Sequence, residues 1–235
     1  MKKWIVLGLA WLGVAWGEME SHSARLEILK KKGFNPKVIY DIGAYQGKWS
    51  QEIEKLFGQA RFYLFEANQS NEPFLDDLTY SYYIAALGNI EGKAKFYSNG
   101  STGDSFLKEN TEFYAEGKYT EKEIAMTTLS RVVKQNKIPL PDLVKIDVQG
   151  AEKMVIEGGL AQICHAEAIV IEASVLEYNK GAPLIFDMMQ YMDSLGYRMA
   201  DILEGYYLPE TNELAQLDLL FLKKNSKLLR SEFLE

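Results

Sequence analysis

The chain has 235 residues, 47% of them hydrophobic and 25% charged, which suits one folded domain with a full core. Its 26 Lys and Arg against 33 Asp and Glu give a net charge of −7, which excludes nucleic-acid binding over a broad face, because neutralising many phosphates needs a cationic surface. The single cysteine, Cys164, excludes an internal disulfide framework and a multi-thiolate zinc site; the two histidines, His22 and His165, stand far apart, so a His-based metal site or charge relay is not expected.

Lys2 and Lys3 precede an apolar run from Trp4 to Gly17, and Ala15-Trp16-Gly17 leaves small residues at the −3 and −1 positions of a cut, as in a secretory signal peptide. About fourteen residues rise only ~21 Å as a helix, short of a ~30 Å hydrocarbon core. Trp4, Trp11 and Trp16 would still suit an interfacial anchor. Translation from Met19 and an apolar helix packed on the domain are the other readings. Residues 1–20 are therefore a leader, 21–225 the domain, and 226–235 a charged tail.

After the leader, Ser21 to Lys32 reads as an amphipathic helix with Leu26, Ile28 and Leu29 on its apolar side, stopped at Gly33. Val38 to Ile42 is a buried strand followed by a glycine turn. Ser50 to Phe57 is helical, Arg61 to Phe65 a second strand, and Glu72 to Leu78 another helix. Tyr82 to Ala86 is the third strand, and Lys93 to Tyr97 an added hairpin strand. Ser98 to Lys122 is polar and aperiodic, a lid or a flexible loop. Leu143 to Val148 and Ala168 to Glu172 are apolar strands, and Leu184 to Leu195 is a helix. Tyr197 to Leu203 and Leu217 to Leu222 finish as strands. Strands alternating with helices imply an α/β fold with a mostly parallel sheet covered on both faces, whose ligands bind outside the carboxyl ends of its strands.

Polar residues stand at those ends. Asp41-Ile42-Gly43-Ala44-Tyr45-Gln46-Gly47 follows the first strand: Gly43 permits a tight turn and Gly47 a close helix start. Its D-x-G-x-x-x-G spacing departs from G-x-G-x-x-G, and Asp41 stands where room for a pyrophosphate would be needed, so a zwitterionic ligand with its ammonium near Asp41 fits better. An ordinary glycine turn is the alternative. Phe65-Glu66-Ala67 ends the second strand 19 residues after Gly47, where an acid can take both ribose hydroxyls; a capping or surface carboxylate is the alternative.

With Val144-Lys145-Ile146-Asp147-Val148-Gln149-Gly150-Ala151-Glu152 the series V-I-Y-D-I-G-A, F-E-A, A-L-G-N and V-K-I-D-V-Q-G-A-E is complete. In that order, from about Lys37 to Phe221, it resembles the FkbM-type S-adenosylmethionine-dependent methyltransferases. The resemblance implies a class I methyltransferase (Rossmann-like) three-layer sandwich, with a seven-stranded sheet whose last strand is antiparallel. It also implies S-adenosylmethionine as donor and an O-methyl product, commonly on a sugar or natural-product hydroxyl. Carried over by position, Asp41, Gly43, Ala44 and Gly47 match the methionine-end turn, Glu66 with Ala67 the ribose acid, and Ala86 and Leu87 the adenine side.

Methyl transfer needs an oxygen held near the methyl carbon and a base for an unactivated hydroxyl. Asp147 is the candidate base or acceptor anchor, with Lys145 on the same strand face as its partner; a purely structural ion pair is the alternative. Glu172, ending the fifth strand, faces the acceptor in this reading. Asp147 and Glu172 can together hold a divalent cation, but no third ligand is evident. Glu152 reads as a structural acid at a helix start. Gly103 to Phe106, Tyr206 and Tyr207 are candidate acceptor covers, His165 a packed or surface residue, and Cys164 a small buried hydrophobe.

The leading expectation is an S-adenosylmethionine-dependent O-methyltransferase with a small-molecule or glycan acceptor. It is cytoplasmic, with membrane contact through residues 4–17 or export if the leader is a signal peptide. The competing readings are an exported non-catalytic binding module of the same fold and a nicotinamide-dependent oxidoreductase. Asp41 and the absence of a Tyr-x-x-x-Lys pair disfavour the last.

Overall fold

The computed structural model describes residues 21–98, 103–110, 119–209 and 211–229. The readings placed on the leader, on the middle of the 98–122 segment and on the end of the tail lie outside them. In chain order the elements are α1 (His22–Lys31), β1 (Val38–Ile42), α2 (Lys48–Leu56), β2 (Arg61–Glu66), α3 (Glu72–Asp76), β3 (Ser81–Ile84), β4 (Ala86–Leu87) and β5 (Gly92–Ser98). Then follow β6 (Thr120–Thr127), α4 (Leu129–Asn136), β7 (Leu143–Ile146), α5 (Glu152–Gly158), α6 (Leu160–Ile163), β8 (Ala168–Ser174), α7 (Ile185–Ser194), β9 (Tyr197–Tyr207) and β10 (Leu214–Lys223).

Seven strands form the main sheet in the order β3-β2-β1-β7-β8-β10-β9. β10 runs antiparallel to both its neighbours and the other strands are parallel, as expected for the last strand. Alternate residues of the central strands face opposite sides, and both sides are buried. Tyr40, Ile42, Val144 and Ile146 enter one core, and Ile39, Leu143, Ala168 and Val170 the other. Two charged residues interrupt this pattern: Asp41 and Lys145, both buried, are directly paired across β1 and β7.

Several elements depart from expectation. Ile28 is exposed, because His22, Leu26 and Leu29 are the residues that share the buried stripe of α1. The third strand is split: Ser81–Ile84 joins the main sheet, whereas Ala86–Leu87 joins a smaller sheet, β4-β6-β5. The partner of the expected hairpin strand is Thr120–Thr127, a strand without apolar alternation. Its charged residues pair across the ladder instead, Lys93 to Glu123 at 2.7 Å and Lys95 to Glu121 at 2.5 Å. α4 was also unmarked, although Thr128 caps it by accepting from the Arg131 amide. Asp147 lies one residue past β7, and β8 continues two residues beyond Glu172. Cys164 is partly exposed rather than buried. Beyond β10, Leu228 packs into the core beside Leu222. Among the described residues no helix is long and apolar enough to cross a membrane.

Candidate functional site

The carboxyl ends of β1, β2 and β7 open into one cavity. Gly43 makes the turn after β1 at φ +81°, and a Cβ there would fall 1.7 Å from the Asp147 carbonyl oxygen. Only glycine lets the two loops pass this closely. The Gly43 and Ala44 amides donate to the Phe65 carbonyl, and the Tyr45 amide donates to Glu66 Oε2 at 2.8 Å, so the turn is folded back on β2.

Gly43, Ala44, Glu66, Ala67 and Leu87, from the expected cofactor set, line this cavity. Asp41, Gly47 and Ala86 do not. Asp41 is fully buried beneath the turn: Oδ2 accepts from Ser50 Oγ at 2.7 Å, while Oδ1 has no hydrogen-bond partner among the described residues and lies 3.9 Å from Lys145 Nζ. A contact between its carboxylate and a ligand ammonium is therefore not part of this geometry. Gly47 turns its bare face to Leu78 and Leu64, so its lack of a side chain serves packing. Ala86 is buried in β4. The wall also takes in Tyr45 and Trp49, and then Asp104, Ser105 and Phe106. The last three come from the segment expected to cover the acceptor. Ser105 Oγ fastens that segment to the β7 loop by donating to the Gln149 carbonyl at 2.7 Å.

Glu66 accepts three bonds, from the Tyr45 and Asn68 amides and from Asn71 Nδ2. Burial raises its pKa, and these bonds oppose the rise. Roughly one of its four acceptor positions remains for a ligand. Bidentate capture of two ribose hydroxyls is thus more than Glu66 alone can supply, and Asp104 is the second carboxylate on the same wall.

Lys145 Nζ lies 2.9 Å from Asp147 Oδ2 and 5.8 Å from the centre of the Trp49 ring. Burial alone would lower its pKa, but the Asp147 and Asp41 carboxylates outweigh it and keep the ammonium charged. The loop carrying Asp147 is held by Glu152, whose Oε1 accepts from the Val148 and Gly150 amides at 3.0 Å each. Burial lifts the Glu152 carboxyl to about 7 against those bonds.

Asp147 also lines a second cavity of about 510 Å3, in the size range of small-molecule sites. Here Gln149 Nε2 donates to Asp147 Oδ1 at 3.2 Å and to Glu172 Oε2 at 2.9 Å, and Gln216 Nε2 donates to the same Glu172 oxygen at 2.8 Å. Burial, followed by the nearby Asp147, Glu152 and Asp218 charges, raises the Glu172 pKa well above the ordinary carboxylate value. Tyr206 lines this cavity and Tyr207 does not. His165 is 2.9 Å from the Pro141 carbonyl, away from both cavities.

Nothing local in the sequence pointed to His22. Its Nε2 lies 2.8 Å from Asp218 and 3.5 Å from Glu204, a cluster with the reach of a cation site. Its Nδ1, however, accepts from Trp49 Nε1 at 3.0 Å. Indole is only a donor, so the imidazole proton sits on Nε2 and is directed at Asp218. That tautomer is neutral and offers a cation no lone pair at Nε2.

The Methyltransferase FkbM domain matches residues 41–199. No curated protein matches. Among solved structures, precorrin-6y C5,15-methyltransferase from Geobacter metallireducens GS-15 is 16% identical with a TM-score of 0.44, over 85% of this chain and 86% of that one. Magnesium protoporphyrin IX methyltransferase from Synechocystis PCC 6803 with bound SAM is 11% identical with a TM-score of 0.46, over 86% and 76% of the two chains. M. capricolum TrmK in complex with S-adenosyl-homocysteine is 12% identical with a TM-score of 0.46, over 89% and 70%.

Proposed function

Because the chain belongs to the FkbM methyltransferase family, we propose that it moves a methyl group from S-adenosylmethionine to a hydroxyl oxygen of a small or glycan-type acceptor. The observation that carries this reading is the position of Asp147, which stands on the walls of both cavities. The first cavity suits a nucleoside-bearing cofactor. It joins a Cβ-free turn at Gly43 to the carboxylates of Glu66 and Asp104, and to the apolar faces of Leu87, Phe96 and Phe106. Glu66 and Asp104 would take the ribose hydroxyls, and the apolar faces the purine. When bound, the sulfonium supplies an electrophilic methyl carbon.

The chain's own residues do the remaining work. Asp147 accepts the proton of the acceptor hydroxyl as that oxygen becomes the nucleophile. Lys145, fixed by Asp41 and Trp49, holds the Asp147 carboxylate at the junction of the cavities. Gln149 and Gln216 orient Glu172 on the acceptor side. The reading carries with it a cytoplasmic location, because the methyl donor is made there; membrane contact through residues 4–17, or export by a cleaved leader, is the alternative.

Titration calorimetry with S-adenosylhomocysteine tests the reading. The full chain should bind it, and at 100 times its dissociation constant the ligand should add about 2.7 kcal/mol of stability. A folded protein whose melting point does not move with millimolar ligand would end the assignment.

A further inference from the structure

We propose that His22, on a helix outside the stretch matched by the methyltransferase domain, is a positioning residue of the donor site: it locks the Trp49 indole into the wall of the first cavity. The inference deepens the methyltransferase reading and rests on it, because that reading puts the nucleoside-bearing cofactor in this cavity.

Trp49 presents the largest side chain of the wall. It is the second residue of α2, just past the Gly47 that opens the helix, and its ring also stands 5.8 Å from Lys145 Nζ. An indole in such a wall has two side-chain torsions to fix and one N–H to satisfy. Left free, it samples rotamers that narrow the cavity, and ligand binding must then order it as well. The Trp49 N–H is given to His22 Nδ1 at 3.0 Å, across 27 residues of sequence and from α2 to α1.

An imidazole accepts at Nδ1 only while its proton stays on Nε2. Asp218 of β10 keeps it there: its Oδ2 lies 2.8 Å from His22 Nε2, with Glu204 of β9 on the same side at 3.5 Å. His22 is only 6% exposed, so water competes little for either nitrogen. Carboxylate, imidazole and indole thus stand in line, each fixing the next, and the line ends in the cavity wall. His22 and Asp218 both lie outside residues 41–199, so α1 and β10 add this support from either side of the matched stretch.

The competing account is that His22 merely pins α1 to the sheet. That role needs the Asp218 arm alone, whereas positioning needs the Trp49 arm. The arms can be removed one at a time, because an asparagine oxygen can overlie the imidazole Nδ1 and a glutamine nitrogen can overlie Nε2. His22→Asn keeps an acceptor for Trp49 and drops Asp218; His22→Gln keeps a donor for Asp218 and drops Trp49.

Calorimetry with S-adenosylhomocysteine on the full chain separates the two accounts. His22→Gln should weaken binding about fivefold or more, and His22→Asn by no more than about twofold. Trp49→Phe removes the indole N–H with His22 intact, which keeps the test open if His22→Gln does not fold. Adding His22→Gln to Trp49→Phe should weaken binding no further, since the two changes remove one bond. In indole N–H NMR spectra of the full chain, with its four tryptophans, the Trp49 signal is assigned by its loss in Trp49→Phe. It should move in His22→Gln and stay in place in His22→Asn. A His22→Asn chain that binds as weakly as His22→Gln, or more weakly, would overturn the inference in favour of a pin through Asp218. Natural affinity in His22→Gln would overturn it too, as would additive losses in the double variant. The natural chain is titrated first. If it does not bind S-adenosylhomocysteine, the methyltransferase reading falls and this inference with it; if it binds and the variants rank otherwise, only the present inference falls.

Discussion

Asp147 makes two demands on one carboxylate: it neutralises a buried ammonium and it faces both cavities. Asp147→Asn separates them. The amide is nearly isosteric and its oxygen can still accept from Lys145, which also keeps Asp41 at 3.9 Å. Stability should therefore fall by only about 1–3 kcal/mol, less than for a broken buried pair. Methyl transfer should fall by ~10²-fold or more, with S-adenosylhomocysteine affinity unchanged. Urea melts and single-turnover rates on the same variant check this; normal turnover would remove Asp147 from the chemistry. Glu152 gives a pH signature. Its carboxyl titrates near 7 in the folded chain against 4.5 when unperturbed, so the folded state holds the proton more tightly. The stability this group contributes is complete below about pH 4.5 and is lost as pH rises to about 7, in total about 3 kcal/mol. Glu152→Gln keeps an oxygen for the Val148 and Gly150 amides and does not titrate. The stability of the natural chain relative to that variant should therefore decline between pH 4.5 and 8; a flat difference in urea melts across that range would show that Glu152 does not titrate there.

At the level of elements, α1 joins the rest of the molecule through His22 to Asp218 of β10 and Arg25 to Asp201 of β9. A chain beginning at Met19 keeps Ser21, the cap of this helix, and should bind S-adenosylhomocysteine as the full chain does. A chain beginning at Gly33 loses Leu26, Leu29 and the His22–Trp49 contact. It should be destabilised by several kcal/mol, at roughly 1.5–3 kcal/mol per buried leucine, and thermal melts with and without ligand will show it. The sequence announces this helix through Leu26 and Leu29, and legibility ends elsewhere. Strands such as Val38–Ile42 and Ala168–Ser174 announce themselves by continuous apolar runs, and Lys145, Asp147 and Glu172 stand out as charges at their ends. β6 does not, because Glu121, Lys122 and Glu123 are solvated and its pairing rests on the backbone. Part of the second cavity's wall was hidden for another reason. Gln216 and Asp218 reach Glu172 and His22 from positions 44 and 196 residues away, and no local pattern encodes such pairings.

Across the whole molecule, the first cavity is shared by the two sheets: Gly43, Ala44 and Tyr45 follow β1 of the main one, while Phe96 and the Asp104–Phe106 segment attach to the smaller. Hydrogen exchange with and without S-adenosylhomocysteine should show protection arising together at residues 43–49, 104–106 and 145–149. Protection confined to the first stretch would detach the smaller sheet from the site. The contact between Gly43 and the Asp147 carbonyl has a consequence for how such a site can diverge. The spacing between the turn proposed to cradle the cofactor and the loop that bears Asp147 is set by a missing methyl group, so neither loop can drift without the other. New acceptors must then be accommodated from the opposite wall, where β9 and β10 present Glu204, Tyr206, Gln216 and Asp218. On the proposed reading the chemistry stays a unit, and the choice of substrate falls to β9 and β10 near the sheet's edge.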